Sequence, residues 1–506
     1  MAGAPAPEQL PEPQLNELLR RADWRFLLRG AGVPWIADMT SGRDSSAIAL
    51  VAAKGEPPPN EADVAAIGFP SRLALRAALD AARAGGEVVC LWRVPRLFGS
   101  SRAAGRLRKA GLTDVRVFWP GPVPQRSPQF WLSLDSPEAT AHLLAQRPAG
   151  SVPQRTLRLL WRACARAGLL APLCAIGRIP GGEEEPADDE IDATFPAGGG
   201  QLLLTGGHRS INKAVGLPFA GGAGAPAAVV KFARVAAADE ALAREAATLR
   251  LVERDRPGVT RVPRLLAESK RAGRHALAES AVHGEPLIAA LSPDNFEQLA
   301  ARVGEWLVNL SGGPDRSREE WWPRLVRAPL ERFEQNFGEV IAAGSLARLR
   351  EQLAAIGDLP EACEHRDCSP WNVVLDAGDA PGLHDWESAE PHGLPGLDLA
   401  YFLANCAFVL DDALEFGRTR KSYERLLDAG TSHGAIAAAC AEHHCARVGI
   451  SIEDYARLRL LCWVIHSASD HRHLSMAAAG PPSHEALRSS SFLGLLEAEL
   501  GRLGTS

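Results

Sequence analysis

The 506-residue sequence contains no apolar run long enough to cross a membrane, which takes about 18 consecutive apolar residues. It has no excess of positive charge either: Lys and Arg total 55, Asp and Glu total 61, and the net charge is −6. The first thirty residues lack the apolar stretch behind a basic end that marks a secretory signal. These absences predict a chain that uses neither a membrane nor a nucleic acid as its partner.

Cysteine and lysine are both scarce. The nine cysteines are odd in number and none stands in a Cys-x-x-Cys pair, which is typical of reduced thiols and favours a cytoplasmic location. Only six of the 55 basic residues are lysines. A lysine inside an otherwise apolar strand is therefore a noticeable feature of this chain.

The clearest break in composition is the stretch from 181 to 200, GGEEEPADDEIDATFPAGGG. It carries seven acidic residues and no basic ones, and glycines flank it. Such a segment buries too little apolar surface to offset the entropy of ordering it. We interpret residues 181–198 as an acidic flexible linker, with an acidic docking segment for a partner as the alternative.

Strand-like and helix-like stretches alternate before this break, which indicates a parallel or mixed α/β sheet. The expected strands are 33–37, 63–68, 87–93 and 114–119, and the expected helices are 73–84, 100–111 and 156–167. The order resembles the latter half of a class I methyltransferase that uses S-adenosylmethionine. The turn 38–44 has a single glycine, and too few residues follow it for the second strand and helix of a cofactor site. We therefore interpret residues 22–180 as a truncated domain for packing, or for a partner or self-association.

The strongest motif in the chain runs from His365 through Asp367 to Asn372 and enters an apolar strand, Val373–Leu375. A turn rich in Gly, Asp and Pro follows, and a second short strand ends at Asp385. The two strands predict a hairpin, which brings Asn372 and Asp385 to neighbouring positions.

Phosphoryl transfer needs this combination of side chains. The transferred group carries concentrated negative charge, which divalent metal ions neutralise. Mg²⁺ prefers hard oxygen ligands, and the amide of Asn372 and the carboxylate of Asp385 provide them. The second carboxylate, Asp367, is placed to orient an attacking hydroxyl group and to accept its proton.

The parts of a nucleotide site are expected upstream. Gly206, Gly207 and Ser210 belong to a turn between two predicted strands, whose backbone N–H groups can face phosphate oxygens. Lys231 lies in an apolar strand and is predicted to reach the α- and β-phosphates. Glu245, on the helix predicted over 239–252, is the candidate to hold Lys231, and Glu240 is its rival.

A further strand, Ala276–Ala281, ends near a glycine and fits a connector between two lobes. From its order in the chain, we expect the backbone of Glu279 to Ala281 to meet the adenine edge.

This ordered set resembles the aminoglycoside phosphotransferase and choline kinase group of kinase-like enzymes, over residues 199–480. The metal-binding Asp385 stands in His-Asp-Trp-Glu, and Asp398 follows in the Asp-Leu-Ala start of a helix, where an N-cap is its simplest role. Arg366 departs from the group, which usually has a small residue or glycine after its histidine. The resemblance implies aminoglycosides, other sugars or amino alcohols as acceptors.

The sequence thus predicts mixed α+β and α/β architecture: a protein kinase-like bilobal fold preceded by a degenerate Rossmann-like α/β domain. Its function is predicted as transfer of the γ-phosphate of ATP or GTP, with Mg²⁺, to a small-molecule hydroxyl acceptor. The alternative is a nucleotide-binding regulatory or scaffold module. The predicted parts are an N-terminal tail (1–21), the α/β domain (22–180), the linker (181–198), the N-lobe and hinge (199–285) and the α-rich C-lobe (286–506).

Two further clusters of side chains each have two possible interpretations. Cys440 and His444 are four residues apart on a predicted helix and could share a metal ion, although core packing is the simpler interpretation. Asp411, Asp412 and Glu415 could line a pocket for a cationic acceptor, or form a solvated helix face.

Overall fold

The computed structural model divides the chain into two compact units, one formed by 1–243 with 265–281 and the other by 244–264 with 282–506. It describes residues 10–55, 57, 58, 60–94, 100–122, 127–145, 159, 163, 164, 167, 172–181, 190–195, 199–206, 212–478 and 480–503. Within these ranges, no helix has both the length and the apolar character needed to cross a membrane. Most of the helix expected at 156–167 lies outside the described residues.

The first unit is built on one large sheet. Its elements in chain order are α1 (Glu12–Arg21), a 3-10 helix (Asp23–Leu27), β1 (Ile36–Met39), α2 (Arg43–Val51), β2 (Ala62–Ile67), α3 (Arg72–Ala81), β3 (Ala82–Leu91), α4 (Ser100–Lys109), β4 (Thr113–Gly121), β5 (Phe130–Ser133), α5 (Pro137–Ala145), β6 (Cys174–Arg178), α6 (Glu190–Ala193), β7 (Gly200–Leu204), β8 (Lys213–Phe219), β9 (Val229–Ala233), the start of α7 (Ala236–Asp255), β10 (Leu265–Arg271) and β11 (Arg274–Glu279).

Eleven described strands pair in the order β1-β2-β3-β6-β4-β5-β7-β8-β9-β11-β10. The first three are parallel, because α2 and α3 return the chain to the same end of the sheet after each strand. All the other pairs are antiparallel. The mixed α/β sheet predicted for the first part of the chain is therefore present.

Alternate side chains of the strands pack into two different cores, because successive residues of a strand point to opposite faces. On β3, Val88 and Cys90 belong to one core and Val89 to the other. Helices α3, α4 and α5 contribute to the first core through Leu75, Leu107 and Leu143. The opposite core takes its side chains from the N-terminal segment, α2 and α6, including Trp24, Phe26, Ile48 and Ile191.

From its composition we expected the acidic stretch to be a flexible linker between two domains. In the structure, it connects strands of one sheet. Strand β5 precedes it and β7 follows it, and the two pair antiparallel, with Leu132 opposite Leu202. Within the stretch, Ile191 is fully buried and Asp192 forms an ion pair of 2.6 Å with Arg271. The predicted tail is also partly ordered, since Glu12–Arg21 is a helix. Ile191 thus packs in a core of the common sheet, and the helix of the tail packs on α2, tertiary roles that composition does not reveal.

The second unit is mostly helical. It contains the end of α7, then β12 (Glu285–Pro286), α8 (Leu287–Ala290), α9 (Phe296–Leu310), β13 (Ser311–Arg316), α10 (Arg318–Trp322), a π-helix (Pro323–Arg327), α11 (Ala328–Phe337), α12 (Ala343–Ala354), β14 (Leu359–Glu364), β15 (Val373–Leu375), β16 (Pro381–Leu383), a 3-10 helix (Trp386–Ser388), β17 (Glu390–Gly393), α13 (Leu397–Leu410), α14 (Thr419–Leu427), α15 (Ser432–Val448), α16 (Ile452–Ala478), α17 (His484–Arg488) and α18 (Ser491–Leu503).

Two small sheets, β12-β15-β16 and β13-β14-β17, lie in this unit. The predicted hairpin is confirmed: β15 and β16 pair antiparallel, with Val373 opposite Leu383. Their apolar residues join the helices in one large core, which includes Phe296, Trp386 and Trp463. The core thus holds the hairpin and the loop before it in fixed positions.

Candidate active site

The loop between β14 and β15 brings Asp367 and Asn372 together. The Asn372 side-chain amide donates hydrogen bonds to the backbone oxygen of Asp367 at 2.9 Å and to its Oδ2 at 2.8 Å. Both side chains are half-buried. The five-residue spacing in the sequence thus becomes a direct contact, in which the amide fixes the orientation of the carboxylate.

His365 links this loop to the end of the hairpin. It is fully buried, its Nδ1 accepts the backbone N–H of Asp367 at 3.2 Å, and its Nε2 lies 3.0 Å from the backbone oxygen of His384. Because Nδ1 accepts, Nε2 carries the ring proton and donates it. The ring also meets Trp386 edge to face at 4.9 Å. His365 therefore connects the position of Asp367 to that of the residue before Asp385.

Asp385 sits at a sharp turn after β16. Its φ of 69° and ψ of 63° are left-handed, a conformation that Asp tolerates better than most residues. The next residue, Trp386, is fully buried and donates its indole N–H to Leu383 at 3.0 Å. Its backbone N–H is donated to Oε1 of Glu245 at 2.9 Å. Glu245 thus fixes the backbone next to Asp385, and its expected contact with Lys231 stays a prediction.

Asp398 is not the N-cap that the sequence suggested. Gly396 precedes helix α13 as its cap residue, and the Asp398 carboxylate accepts the backbone N–H groups of His365 at 2.6 Å and Arg366 at 2.8 Å. Burial, together with the neighbouring Glu364 carboxylate, raises the pKa of Asp398 to about 7. The residue therefore holds the backbone of the loop that carries Asp367.

Arg366 stands where the group that the sequence resembles usually has glycine or another small residue, and the structure explains this difference. Its φ is +63°, a conformation that glycine adopts without strain and that costs other residues about 1–2 kcal/mol. Its Nε donates to Oε2 of buried Glu364 at 2.8 Å, and that ion pair raises the pKa of the guanidinium group against the effect of burial. The ion pair thus offsets a backbone cost that glycine would avoid.

Lys231 lies in β9 of the first unit. Its ammonium is 2.9 Å from Oε1 of Glu279 on the neighbouring strand β11, and both side chains are buried. The sequence assigned Glu279 only a backbone role at the adenine edge, so this ion pair is an addition. Ala281, the other expected adenine contact, is partly exposed just after β11.

Only the start of the predicted phosphate turn is described. Gly206 has φ of +76°, and the preceding Thr205 is fixed by a hydrogen bond from its hydroxyl group to Pro128 at 2.7 Å. Gly207 and Ser210 lie outside the described residues. Arg234 donates to the backbone oxygen of Thr205 and also pairs with Asp23. No motif in the sequence pointed to Asp23 or Arg234.

The side-chain oxygen atoms of Asn372 and Asp385 are ligands that suit a hard divalent cation. Because the amide nitrogen of Asn372 donates to Asp367, its oxygen is the atom left to coordinate a metal ion. The carboxylate of Asp385 supplies a second hard oxygen, and Mg²⁺ usually takes few protein ligands and completes its shell with water and phosphate. Among the described residues, no group of three or more His, Cys, Asp or Glu side chains could hold a metal ion by itself.

The two weaker clusters gain no support. His444 is buried, and no metal-binding group that includes it with Cys440 is present among the described residues. Asp411 accepts a hydrogen bond from Ser422 at 2.5 Å and pairs with Arg425. Arg418 and Lys421 also line the small cavity at Asp411, so the surroundings are basic and do not suit a cationic acceptor.

Comparisons with known proteins give one family match and several structural neighbours. Solved structures include an aminoglycoside phosphotransferase from Streptomyces rimosus, with 19% identity over 50% of this chain and 89% of that chain and a TM-score of 0.32. An aminoglycoside-3'-phosphotransferase of type VIII has 22% identity over 54% and 97% and a TM-score of 0.35. Choline kinase LicA from Streptococcus pneumoniae has 12% identity over 60% and 92% and a TM-score of 0.34.

No curated protein matches the sequence. The resemblance of residues 22–180 to methyltransferases is unsupported by the comparisons. Residues 219–433 match the phosphotransferase enzyme family, APH, over a range that contains Lys231, Asp367, Asn372 and Asp385. Residues 219–433 of this chain are therefore similar to the phosphotransferase enzyme family.

Proposed function

We propose that this protein transfers the γ-phosphate of ATP or GTP to a hydroxyl group of a small molecule, with Mg²⁺ as the metal ion. The observation that carries the proposal is the contact of Asn372 with Asp367, in a loop that runs directly into the hairpin ending at Asp385. A module that only binds nucleotide has no need of a carboxylate held ready beside the metal ligands.

Asp367 is the proposed catalytic residue. Its carboxylate orients the acceptor hydroxyl group and takes the proton as the hydroxyl oxygen bonds to the γ-phosphorus. The bond from that phosphorus to the bridging oxygen breaks, and the nucleoside diphosphate leaves. The hydrogen bond from Asn372 and the backbone bond from Asp367 to His365 hold this carboxylate in one orientation.

Asn372 and Asp385 are the residues that would hold Mg²⁺. When bound, the ion neutralises negative charge on the phosphate oxygens. The chain prepares the site by fixing the turn at Asp385, because Glu245 accepts the N–H of Trp386 and His365 binds His384. The two ligands therefore come from a rigid hairpin, which limits the rearrangement needed on binding.

Lys231 is proposed to bind the α- and β-phosphates, with Glu279 as its buried counter-ion. The backbone from Gly206 to Ser210 would cover the phosphates, and the backbone of Glu279 to Ala281 would meet the adenine edge. The acceptor is an aminoglycoside, another sugar or an amino alcohol, in line with the family. Trp371, two-fifths exposed beside Asn372, is proposed to shape the acceptor entrance.

Nine free cysteines, of which seven are buried, favour a reducing compartment, and we place the protein in the cytoplasm on that basis.

The experiment is a transfer assay with γ-labelled ATP and GTP against a panel of aminoglycosides, sugars and amino alcohols. Wild type should label at least one acceptor in a Mg²⁺-dependent way, and Asp367→Asn should bind nucleotide but label none. Nucleotide binding that is equal in both proteins, with no labelled acceptor, would favour the regulatory module.

A further inference from the structure

The start of helix α13 contacts the loop that carries Asp367 at two positions. Asp398 accepts the backbone N–H groups of His365 and Arg366, at 2.6 and 2.8 Å. Tyr401 follows three residues later on the same side of the helix, because residues i and i+3 are neighbours on a helix surface. Its hydroxyl group forms a side-chain hydrogen bond with Asp367. The helix therefore meets both the backbone of this loop and the carboxylate that the loop carries.

The chemistry of the two groups sets the direction of this hydrogen bond. An ionised carboxylate only accepts, so the Tyr401 hydroxyl group is the donor. Burial, and after it the negative charge of Asp367, raise the pKa of Tyr401 above its ordinary value of 10, so the phenol keeps its proton at neutral pH. Tyr401 therefore does not take the proton of an acceptor hydroxyl group, and acts only on the group that does.

Aromatic neighbours fix the ring of Tyr401. His466, on α16, stacks on it with the ring centroids 4.0 Å apart and 12° between the planes. Phe492, on α18, lies 5.4 Å from His466 and 6.5 Å from Tyr401. Burial, together with the charge of Arg366, lowers the pKa of His466 to about 3, so the stacked ring is neutral at neutral pH. The position of the hydroxyl group thus follows from the packing of three helices.

The Asp367 carboxylate receives another donor from within its own loop, the Asn372 amide, at its Oδ2. One hydrogen bond leaves a carboxylate free to swing about the bond to the rest of its side chain. Tyr401 supplies a donor from helix α13, a different element from the loop and the hairpin. Donors from two elements restrict the carboxylate more than either does alone.

We propose that Tyr401 is a positioning residue for Asp367. Its hydroxyl group donates to the carboxylate and holds it in the orientation that receives the acceptor hydroxyl group. This inference rests on the proposed phosphotransferase function, because Tyr401 acts only through the base. The sequence assigned no role to Tyr401, which directly follows Asp398-Leu399-Ala400.

The first test detects the contact and needs no acceptor. The chain has three tyrosines, so labelling with 3-fluorotyrosine gives three ¹⁹F signals, which Tyr→Phe variants assign. Asp367→Asn should shift the signal of Tyr401 and leave that of Tyr423 in place. Tyr423 is the matched control, because it is buried and donates to a different carboxylate, Glu499, at 2.8 Å. An unchanged Tyr401 signal in Asp367→Asn would overturn the proposal.

The second test is the steady-state kinetics of Tyr401→Phe with the labelled acceptor. This change keeps the ring and its stack on His466 but removes the donor. We expect kcat to fall about tenfold, with KM for nucleotide and acceptor within about twofold of wild type. Tyr423→Phe should lower the thermal midpoint and leave kcat unchanged. A raised KM for the acceptor with unchanged kcat would assign Tyr401 to acceptor binding and contradict the proposal.

Two further comparisons separate this role from misfolding and from failure of the proposed function. If Tyr401→Phe does not fold, as judged by its thermal midpoint, the stacked ring decides. His466→Ala removes the stack and should lower kcat, whereas His466→Phe keeps a stacked ring and should restore it; equal kcat in both would contradict the proposal. A wild type that labels no acceptor would contradict the proposed function, whereas the ¹⁹F signal alone decides whether Tyr401 holds Asp367.

Discussion

Asp23 and Arg234 are 211 positions apart in the sequence and form a fully buried ion pair. The Nε of Arg234 lies 2.9 Å and its Nη2 2.6 Å from Oδ2 of Asp23, and the guanidinium group also donates to the backbone of Thr205. The pair joins the N-terminal segment to the strand that carries Lys231, and to the residue before Gly206. The N-terminal segment is thus a structural part of the unit that holds the predicted nucleotide residues.

We predict that Asp23→Asn destabilises the first unit by about 3–5 kcal/mol, because it leaves the Arg234 guanidinium buried without its counter-ion. Urea unfolding followed by circular dichroism measures the change. Replacing both partners, in Asp23→Leu with Arg234→Met, should recover only the part of the loss that belongs to Arg234, because buried Arg25 also pairs with Asp23, at 3.6 Å.

The control for this pair is Arg254→Gln. Arg254 pairs with Asp255 at 2.6 Å, but its side chain is 73% exposed, so its removal should reduce stability much less than the loss of Asp23 does. Equal losses for the buried and the exposed pair would contradict the role given to Asp23.

Much of the first unit could be predicted from its sequence. The alternation of apolar strands and helices gave β2 at 62–67 and α4 at 100–109 nearly to the residue. We could not predict that the strands before and after the acidic stretch form one sheet. The pairing of β5 with β7 depends on backbone hydrogen bonds between distant segments of the chain. Composition marks 181–198 as acidic but does not show that Ile191 is buried against the sheet.

A second prediction concerns Arg366 and Glu364. Arg366→Gly relieves the left-handed backbone but leaves the Glu364 carboxylate, 1% exposed, without its cation. The second effect is larger, since an unpaired buried charge costs about 3–5 kcal/mol and the backbone gain is about 1–2 kcal/mol. We expect a net loss of about 2 kcal/mol in the free energy of unfolding.

The single variants Glu364→Gln and Arg366→Gly and the double variant that combines them form a double-mutant cycle. The double variant should be at least about 1 kcal/mol more stable than the sum of the two single losses predicts. Additive losses would mean that the ion pair does not offset the strain at Arg366.

A third prediction concerns the pH dependence of stability. Burial lowers the pKa of His444 from its ordinary value to about 4. The unfolded chain takes up a proton near pH 6.5, whereas the folded chain does not until about pH 4, so stability falls as the pH falls through this window. Between about pH 7.5 and about pH 5, the loss from this residue is about 2 kcal/mol.

Chemical unfolding at several pH values measures this slope, and His444→Leu should reduce it. His443→Leu is the matched control, because His443 is the adjacent residue and its side chain is 57% exposed. The same reduction in both variants would show that the slope does not come from the buried ring.

The candidate site divides in the same way into predictable and unpredictable parts. Asp367, Asn372 and Asp385 stand in a local motif whose hairpin follows from apolar alternation and turn residues, and the structure has that hairpin. The carboxylate contacts of Asp398, Glu245 and Glu279 are long-range bonds to backbone groups or a lysine, and helix or strand patterns do not specify such partners.

A fourth prediction concerns the proposed base. Asp367→Asn keeps the shape of the side chain but removes the group that accepts the hydroxyl proton. We expect kcat to fall by about 10²–10⁴-fold, while nucleotide affinity changes little. Steady-state kinetics with the labelled acceptor, together with nucleotide titration, test this. A large fall in affinity with unchanged kcat would assign Asp367 to binding instead of chemistry.

The central claim is that Asn372 and Asp385 form a working metal–nucleotide site. Thermal unfolding of wild type and Asp385→Ala with ATP and GTP, each with and without Mg²⁺, tests it most directly. At about 100 times Kd, a bound nucleotide adds about 2.7 kcal/mol of stability. We predict a Mg²⁺-dependent upward shift in wild type that is lost in Asp385→Ala. No shift with either nucleotide, or the same shift in the variant, would contradict the account.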